Sequence, residues 1–186
     1  MARKKEQPEL TREMILDAAR DLFVKQGYEQ VSMRQIAKVL GCSHGAIYYH
    51  FTNKAELFFA LVASHFSLLE HKLEEILNME VENWKKMKAV MLGFIEFGLT
   101  HQSHYEIMFM TKDPEISLHF EKKPLEVYQK FAESLFSLSE GKLSVRDIWS
   151  IFLSLHGFVS HYIGLVSSFN DVKDAASNHV DFLLKI

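Results

Sequence analysis

The chain is short of thiols and of residues that break regular structure. Cys42 stands alone, so no disulfide can form within the chain. Eight glycines and three prolines in 186 residues are a low breaker count, and they favour an all-helical fold. There is neither a secretory h-region nor an apolar run long enough to span a bilayer, so a cytoplasmic protein with no membrane partner is expected. Gly-rich phosphate loops, a nucleophile elbow and an HExxH pair are all missing, and the Asp and Glu residues fall mainly on predicted helix surfaces or at caps. Enzymatic activity is therefore not expected. The net charge of −3 argues against a generally sticky nucleic-acid binder, so the distribution of charge matters more than its total.

That distribution is uneven. Residues 1–54 hold nine Lys/Arg against six acids, a balance of +3, which leaves −6 for the remainder of a chain whose total is −3. The basic end contains the most informative stretch, VSMRQIAKVLGCSHGAIYYHFTNK, from Val31 to Lys54. Ser32 caps a short helix, Gln35 completes a capping box, and Val31 faces Ile36 as a hydrophobic staple. Gly41 supplies the left-handed residue that ends this helix, and Ser43 caps the next while Cys42 packs towards Ile47. Two helices so short need a third behind them. It is expected from Thr11, with Leu10 stapled to Ile15 and apolar residues at helical spacing up to Gly27. Once the buried positions are set aside, His44, Gly45, Ala46, Tyr48, Tyr49 and His50 face outward, the surface that a helix-turn-helix inserts into the major groove. Lys54 adds a cation beside helix N-terminal amides, a phosphate clamp.

From Ile36 to Leu57 the run IAxxxGCSxGAIYYHFxxKxxL resembles the DNA-binding segment of the tetracycline-repressor (TetR) family of bacterial transcriptional regulators, and the match extends back to Thr11. The resemblance implies that Arg34, His44, Gly45 and Ala46 touch base edges and that Tyr48, Tyr49, His50 and Lys54 grip the backbone, with the capping residues Ser32 and Ser43 in the same DNA-facing set. Ala46 stands where the family commonly has a hydroxyl residue, so one base contact there is apolar or missing.

A DNA-binding domain of residues 1–52 is thus expected ahead of a helical body of residues 53–186, with about nine helices in all. A long helix from Asn53 opens on an N-x-x-E box to Glu56 and runs to about Leu77. A second runs from about Val81 to Thr100, where Phe94, Phe97 and Gly98 make one side aromatic with room beside it. HQSHYEIMFM forms a short helix, Asp113 and Pro114 start the next, and Pro124 breaks it before a stretch that ends at the SEGK turn. Ser144 caps the penultimate helix, and a last one begins near Asp171. The stretches IWSIFLSLHGFVSHYI and HYEIMF resemble the regulatory half of a subset of the same family. That implies a ligand-responsive body whose last two helices pair in a homodimer, with double-stranded operator DNA as the partner of the head.

Soft and flat side chains, namely Met91, Phe94, Phe97, His101, Tyr105, Met108, Phe109, Phe131 and Trp149, are the candidate lining of a pocket for a small, largely apolar effector. Apolar residues spread wider than one stripe on the final helices make Phe152, His156, Val159, Ile163, Val172, Val180 and Leu184 the candidate dimer contacts. Neither His101 with His104 nor His156 with His161 is joined by an acid or thiol, so no metal or other cofactor is expected. The expected function is a repressor released from a palindromic operator by its ligand. The alternative is a helical protein-interaction module in which Tyr48, Tyr49 and His50 form the partner surface.

Overall fold

The computed structural model describes residues 10–110 and 123–185, and among them nine α-helices and no strand. The basic tail at Arg3, Lys4 and Lys5 and the helix start at Asp113 and Pro114 lie outside the described residues. The chain divides into two units, one ending at Val62 and one beginning at Ala63, not at the 52/53 boundary that the motif suggests. The reason is packing: Leu57, Phe58 and Leu61, beyond that boundary, are buried, and Phe58 completes an aromatic cluster of the head.

In the first unit α1 spans Arg12–Gln26, α2 Met33–Leu40 and α3 His44–His50, and α4 begins at Lys54. Each start is set by the expected local chemistry. Met14 N donates to Thr11 Oγ1 at 3.2 Å, Ser32 and Gln35 close a reciprocal box, and Ala46 N donates to Ser43 Oγ at 3.2 Å. Gly41 ends α2 in the left-handed region at φ 63°, which an L side chain would resist. The box on α4 closes one residue early, because Glu56 N donates to Asn53 Oδ1 while the Glu56 carboxylate accepts from Thr52 N and Oγ1. Those two bonds hold the Glu56 carboxyl below its usual pKa.

The head's core joins Ile15, Ala19, Phe23, Ile36 and Ile47 to a ring cluster of Phe23, Tyr28 and Phe58 at 5.0–5.7 Å. Each such ring pair contributes roughly 0.5–1.5 kcal/mol beyond area burial. Two cations, whose roles here no local pattern signals, tie the three helices. Arg12 Nη1 donates to His50 O at 3.1 Å with its guanidinium 4.1 Å from the Phe51 ring centroid. Lys54 Nζ donates to Tyr28 O at 2.8 Å and lies 4.1 Å over the Tyr28 ring.

In the second unit α4 continues to Leu77, followed by α5 Asn83–Thr100, α6 Gln102–Tyr105, a π-helical turn Glu106–Met110, α7 Lys123–Leu138, α8 Val145–Tyr162, a 3₁₀ turn Phe169–Val172 and α9 Lys173–Leu183. Ser144 and Asp147 form the box that starts α8. Lys86 Nζ donates to Leu77 O at 2.8 Å, placing a cation at the carbonyl end of α4. Gln102 clamps the turn after α8, donating to Val166 O at 2.9 Å and accepting from Gly164 N at 3.0 Å. Lys88 and Asp181 pair at 2.6 Å between α5 and α9.

α5 is the central element, with Val90, Met91, Phe94, Ile95, Phe97 and Leu99 buried. The room expected beside Gly98 is already filled. A Cβ at Gly98 would lie 2.5 Å from Val159 Cγ1 and 3.0 Å from Tyr105 Cδ2, so the glycine is there to let α8 approach. None of the helices among the described residues is long and apolar enough to cross a membrane.

Candidate nucleic-acid interface and effector cavity

Burial sorts the helix-turn-helix residues into two faces. Ile47 is fully buried and roots α3, while His44, Gly45, Tyr48 and Tyr49 are exposed and Ala46 and His50 are half-buried. Tyr49, at 87% exposed, has almost no intramolecular packing to explain an aromatic side chain there. The rings form ordered pairs, His44 against Tyr48 at 4.7 Å and Tyr49 against His50 at 5.2 Å. Gly45 has nothing within 4 Å of where a Cβ would stand. A surface with that absence admits another backbone or a base edge closely. Arg34 and Lys38 on α2 are exposed beside it.

Ser32 and Ser43 spend their oxygens as caps, which leaves the Ser43 hydroxyl proton able to donate outward. Lys54 is where the structure departs from the expected clamp. Its ammonium is held internally by Tyr28, so it fixes the entry to α4 instead of standing free for a phosphate.

In the second unit a narrow cavity of about 30 Å³ lies among α4, α5, the π turn, α7 and α8, bounded by Leu69, Leu73, Phe94, Phe109, Phe131 and Phe152, and also by Lys72, Ile76, Val90, Gly93 and Tyr128. Of the expected lining, Phe94, Phe109 and Phe131 are present. Met91, Phe97, His101, Tyr105, Met108 and Trp149 are not in its wall. Met91, Phe97, Tyr105 and Met108 are buried elsewhere in the core, and half-exposed Trp149 stacks on the back of Phe152 at 5.5 Å. The π turn re-aims the chain so that Phe109 reaches Phe94, Phe152 and Phe66 at 5.6–6.4 Å. Gly93, the one wall position without a side chain, is the signal that the sequence does carry.

Four expected dimer contacts face inward. Val159 and Val180 are fully buried within the unit, Phe152 lines the cavity, and His156 points at Tyr105. The physical reason is that α8 and α9 pack on α5 with these phases, leaving Val145, Trp149, Leu153 and Phe182 as the exposed large apolar residues. Ile163, Val172 and Leu184 are half-buried near helix ends.

Behind the cavity the Tyr105 hydroxyl lies 2.6 Å from His156 Nδ1, and His156 Nε2 lies 3.4 Å from Ser160 Oγ. Burial pushes the Tyr105 phenol far above its usual pKa and the His156 imidazole below its own. The phenol therefore keeps its proton and donates to a neutral imidazole, whose Nε2–H is left for Ser160. Imidazoles also stack in a column, His65 on His104 at 3.8 Å and His104 on His101 at 5.2 Å. Among the described residues no three His, Cys, Asp or Glu side chains converge as metal ligands.

Comparison with known proteins agrees with both units. Residues 15–61 match the family profile described as "Bacterial regulatory proteins, tetR family". The HTH-type transcriptional regulator SrpR of Pseudomonas putida is 32% identical over 168 residues, which cover 90% of this chain and 77% of that protein. The regulator AcrR of Shigella flexneri is 27% identical over 202 residues, covering all of this chain and 94% of the relative. In fold the chain is similar to the transcriptional regulator FadR of Bacillus subtilis, solved in complex with stearoyl-CoA. There the TM-score is 0.72 at 20% identity, over 94% of this chain and 96% of the other. The exposed α3 on a capped tri-helical head and the similarity that runs on through the body lead to one assignment: the chain belongs to the tetR family of bacterial regulatory proteins and is a DNA-binding transcriptional regulator.

Proposed function

We propose that this regulator acts as a homodimeric repressor in the cytoplasm, reading a palindromic operator through the outward face of α3 and leaving it when a small, largely apolar molecule enters the body. The observation that carries the reading is the outward set His44, Gly45, Tyr48 and Tyr49 around a buried Ile47. It offers imidazole and phenol hydrogen bonds, a site of close approach and no acid to repel phosphate. Arg34 supplies charge beside it.

Support for pairing comes from the apolar residues that α8 and α9 leave exposed, Leu153 and Phe182 at 47% and 63%. Support for an effector comes from the apolar cavity and from FadR, a fold neighbour with a bound acyl-CoA. The cavity holds only about 30 Å³, far below the 300–1,000 Å³ of occupied ligand sites, so entry must expand it. Helix α4 supplies Leu57 and Leu61 to the head's core and Leu69, Leu73 and Ile76 to the cavity wall. Displacing the wall thereby displaces the helix that seats the head, and the ligand must favour the displaced form for the population to shift.

The test is selection of bound duplexes from a random pool by the purified chain. Recovered sequences are expected to be palindromic, with half-sites one helical turn or a multiple apart. Arg34→Ala and His44→Ala should each relax preference at one base position, and Tyr48→Phe, at a backbone contact, should weaken binding to all sequences alike. Recovery of no sequence preference, or of unpaired single half-sites, would refute the proposal.

A further inference from the structure

The aromatic cavity has a neighbour. A more open cleft of about 380 Å³ lies among α4, α5, the 3₁₀ turn and α9, and it carries Lys72, Glu75, Glu96, Lys173 and Ser177. Cavity and cleft share three residues, Lys72, Ile76 and Gly93. The partition between them is thin and made of movable parts. Where Gly93 lacks a Cβ, Ile76 Cδ1 and Lys72 Cε lie across the gap, 2.8 and 3.4 Å from the position a Cβ would take. These are the far ends of flexible side chains, so a change of rotamer opens the partition without moving backbone.

The two compartments differ in character. One is walled by Phe94, Phe109, Phe131 and Phe152, the other by two lysines and two glutamates set among Ala89, Leu92 and Phe169. Lys72 alone brings a charge to both, its stem over Gly93 and its ammonium 2.6 Å from Glu96. The pair is a third to nearly half exposed, at 33% and 44%, and an ion pair so placed is weak and exchangeable.

From this we infer that the effector is an amphipathic carboxylate, its apolar body in the aromatic cavity and its acid group at Lys72 in place of Glu96. The inference rests on the cavity being the effector site. A head group tethered to a body in the cavity must emerge at the shared threshold, and the charge waiting there is Lys72, whereas Glu96 lines only the cleft. A cationic head would meet that ammonium before it reached Glu75 or Glu96, which line only the cleft. A neutral head would gain nothing from either.

Trp149 supplies the readout, since it stacks on the cavity wall at Phe152. Trp84 is exposed, so Trp84→Phe leaves one reporting indole. The full-length Trp84→Phe chain is titrated with decanoate, decanol and decyltrimethylammonium, each below its micelle threshold, reading Trp149 emission and the melting temperature. Decanoate is expected to bind saturably and about tenfold more tightly than decanol, a charge-assisted bond being the difference, and the ammonium compound not to bind. Lys72→Met, which keeps the apolar stem, should bring decanoate to the level of decanol. Glu96→Gln, which removes the competitor, should tighten decanoate by up to about fivefold. Equal binding of decanoate and decanol, or a Lys72→Met variant that still separates them, overturns the carboxylate inference and leaves the apolar-cavity reading standing. Binding of neither overturns both.

Discussion

Replacing Gly98 by alanine tests whether the approach of α5 to α8 is as tight as the geometry states. The added methyl would lie 2.5 and 3.1 Å from the two methyls of Val159 and 3.0 Å from Tyr105 Cδ2. Carbon atoms in good contact are about 3.5–4.0 Å apart, so something must move by about 1 Å. Neither neighbour yields easily: both are fully buried, valine is stiff at χ1, and the Tyr105 hydroxyl is fastened to His156. Overpacking of this kind costs roughly 1–3 kcal/mol, and alanine in place of glycine within a helix returns about 1 kcal/mol. With both obstacles rigid the cost should sit in the upper half of its range, giving a net loss of about 1–2 kcal/mol. For a chain of this size that lowers the melting temperature by about 2–8 °C. The assay is thermal and urea unfolding at one fixed protein concentration, because the stability of the proposed dimer would depend on concentration. Val159→Ala removes the obstacle at its own cost, so the double variant should be less impaired than the sum of the two singles by about 1 kcal/mol or more. A stabilised Gly98→Ala, or additive effects, would show that the helices have slack and would refute the close approach.

Gly45→Ala should separate stability from function. With nothing within 4 Å of the new methyl, the melting temperature should rise with a gain of up to about 1 kcal/mol, while duplex affinity falls by about tenfold as the methyl meets a base edge; unchanged affinity in fluorescence anisotropy would remove Gly45 from the interface. The burial of His156 predicts a pH dependence. His156 has a folded pKa below its unfolded value near 6.5, so the unfolded chain takes up the proton first as pH falls. Its stabilising contribution is therefore complete above about pH 6.5 and is lost progressively as pH drops from there through the lower folded pKa. His156→Gln should narrow the difference in melting temperature between pH 7.5 and 5.5, and an unchanged difference would mean that other groups carry it.

What the sequence reveals is what local chemistry determines. Ser32 and Gln35 are three residues apart, as are Ser43 and Ala46, and Gly41 needs only its own φ. Such contacts are readable because both partners lie in one window. The outward face of α3 is readable for the same reason, being the set left when Ile47 is taken inside. Lys54 is not, because its acceptor is the carbonyl of Tyr28, which only the folded head brings near. The cavity is harder still. Its wall draws on α4, α5, the π turn, α7 and α8, and which of the many aromatics reach it depends on helix phases. So Phe152 and His156, placed by pattern on a dimer face, turn inward, while Gly98, which looks like room, is filled from 61 positions further along by Val159. Helices that pack on two sides show no single apolar stripe, and periodicity cannot say which side meets which neighbour.

The small volume of the cavity bears on how the proposed switch would discriminate. A ligand shifts an equilibrium only by the difference in its affinity for the two forms. At about 30 Å³ the cavity has space for about two water molecules, and no effector of ordinary size can enter without expanding it. The unexpanded form, taken as the operator-binding one, therefore has negligible affinity for ligand, and nearly all binding energy that survives the cost of expansion appears as shift. That cost is held down where the wall is made of side chains over a glycine, at Lys72, Ile76 and Gly93, and raised where aromatic rings interlock at Phe94, Phe109 and Phe152. Expansion should then begin at the α4 wall, and α4 is also the helix that carries Leu57 and Leu61 into the core of the head.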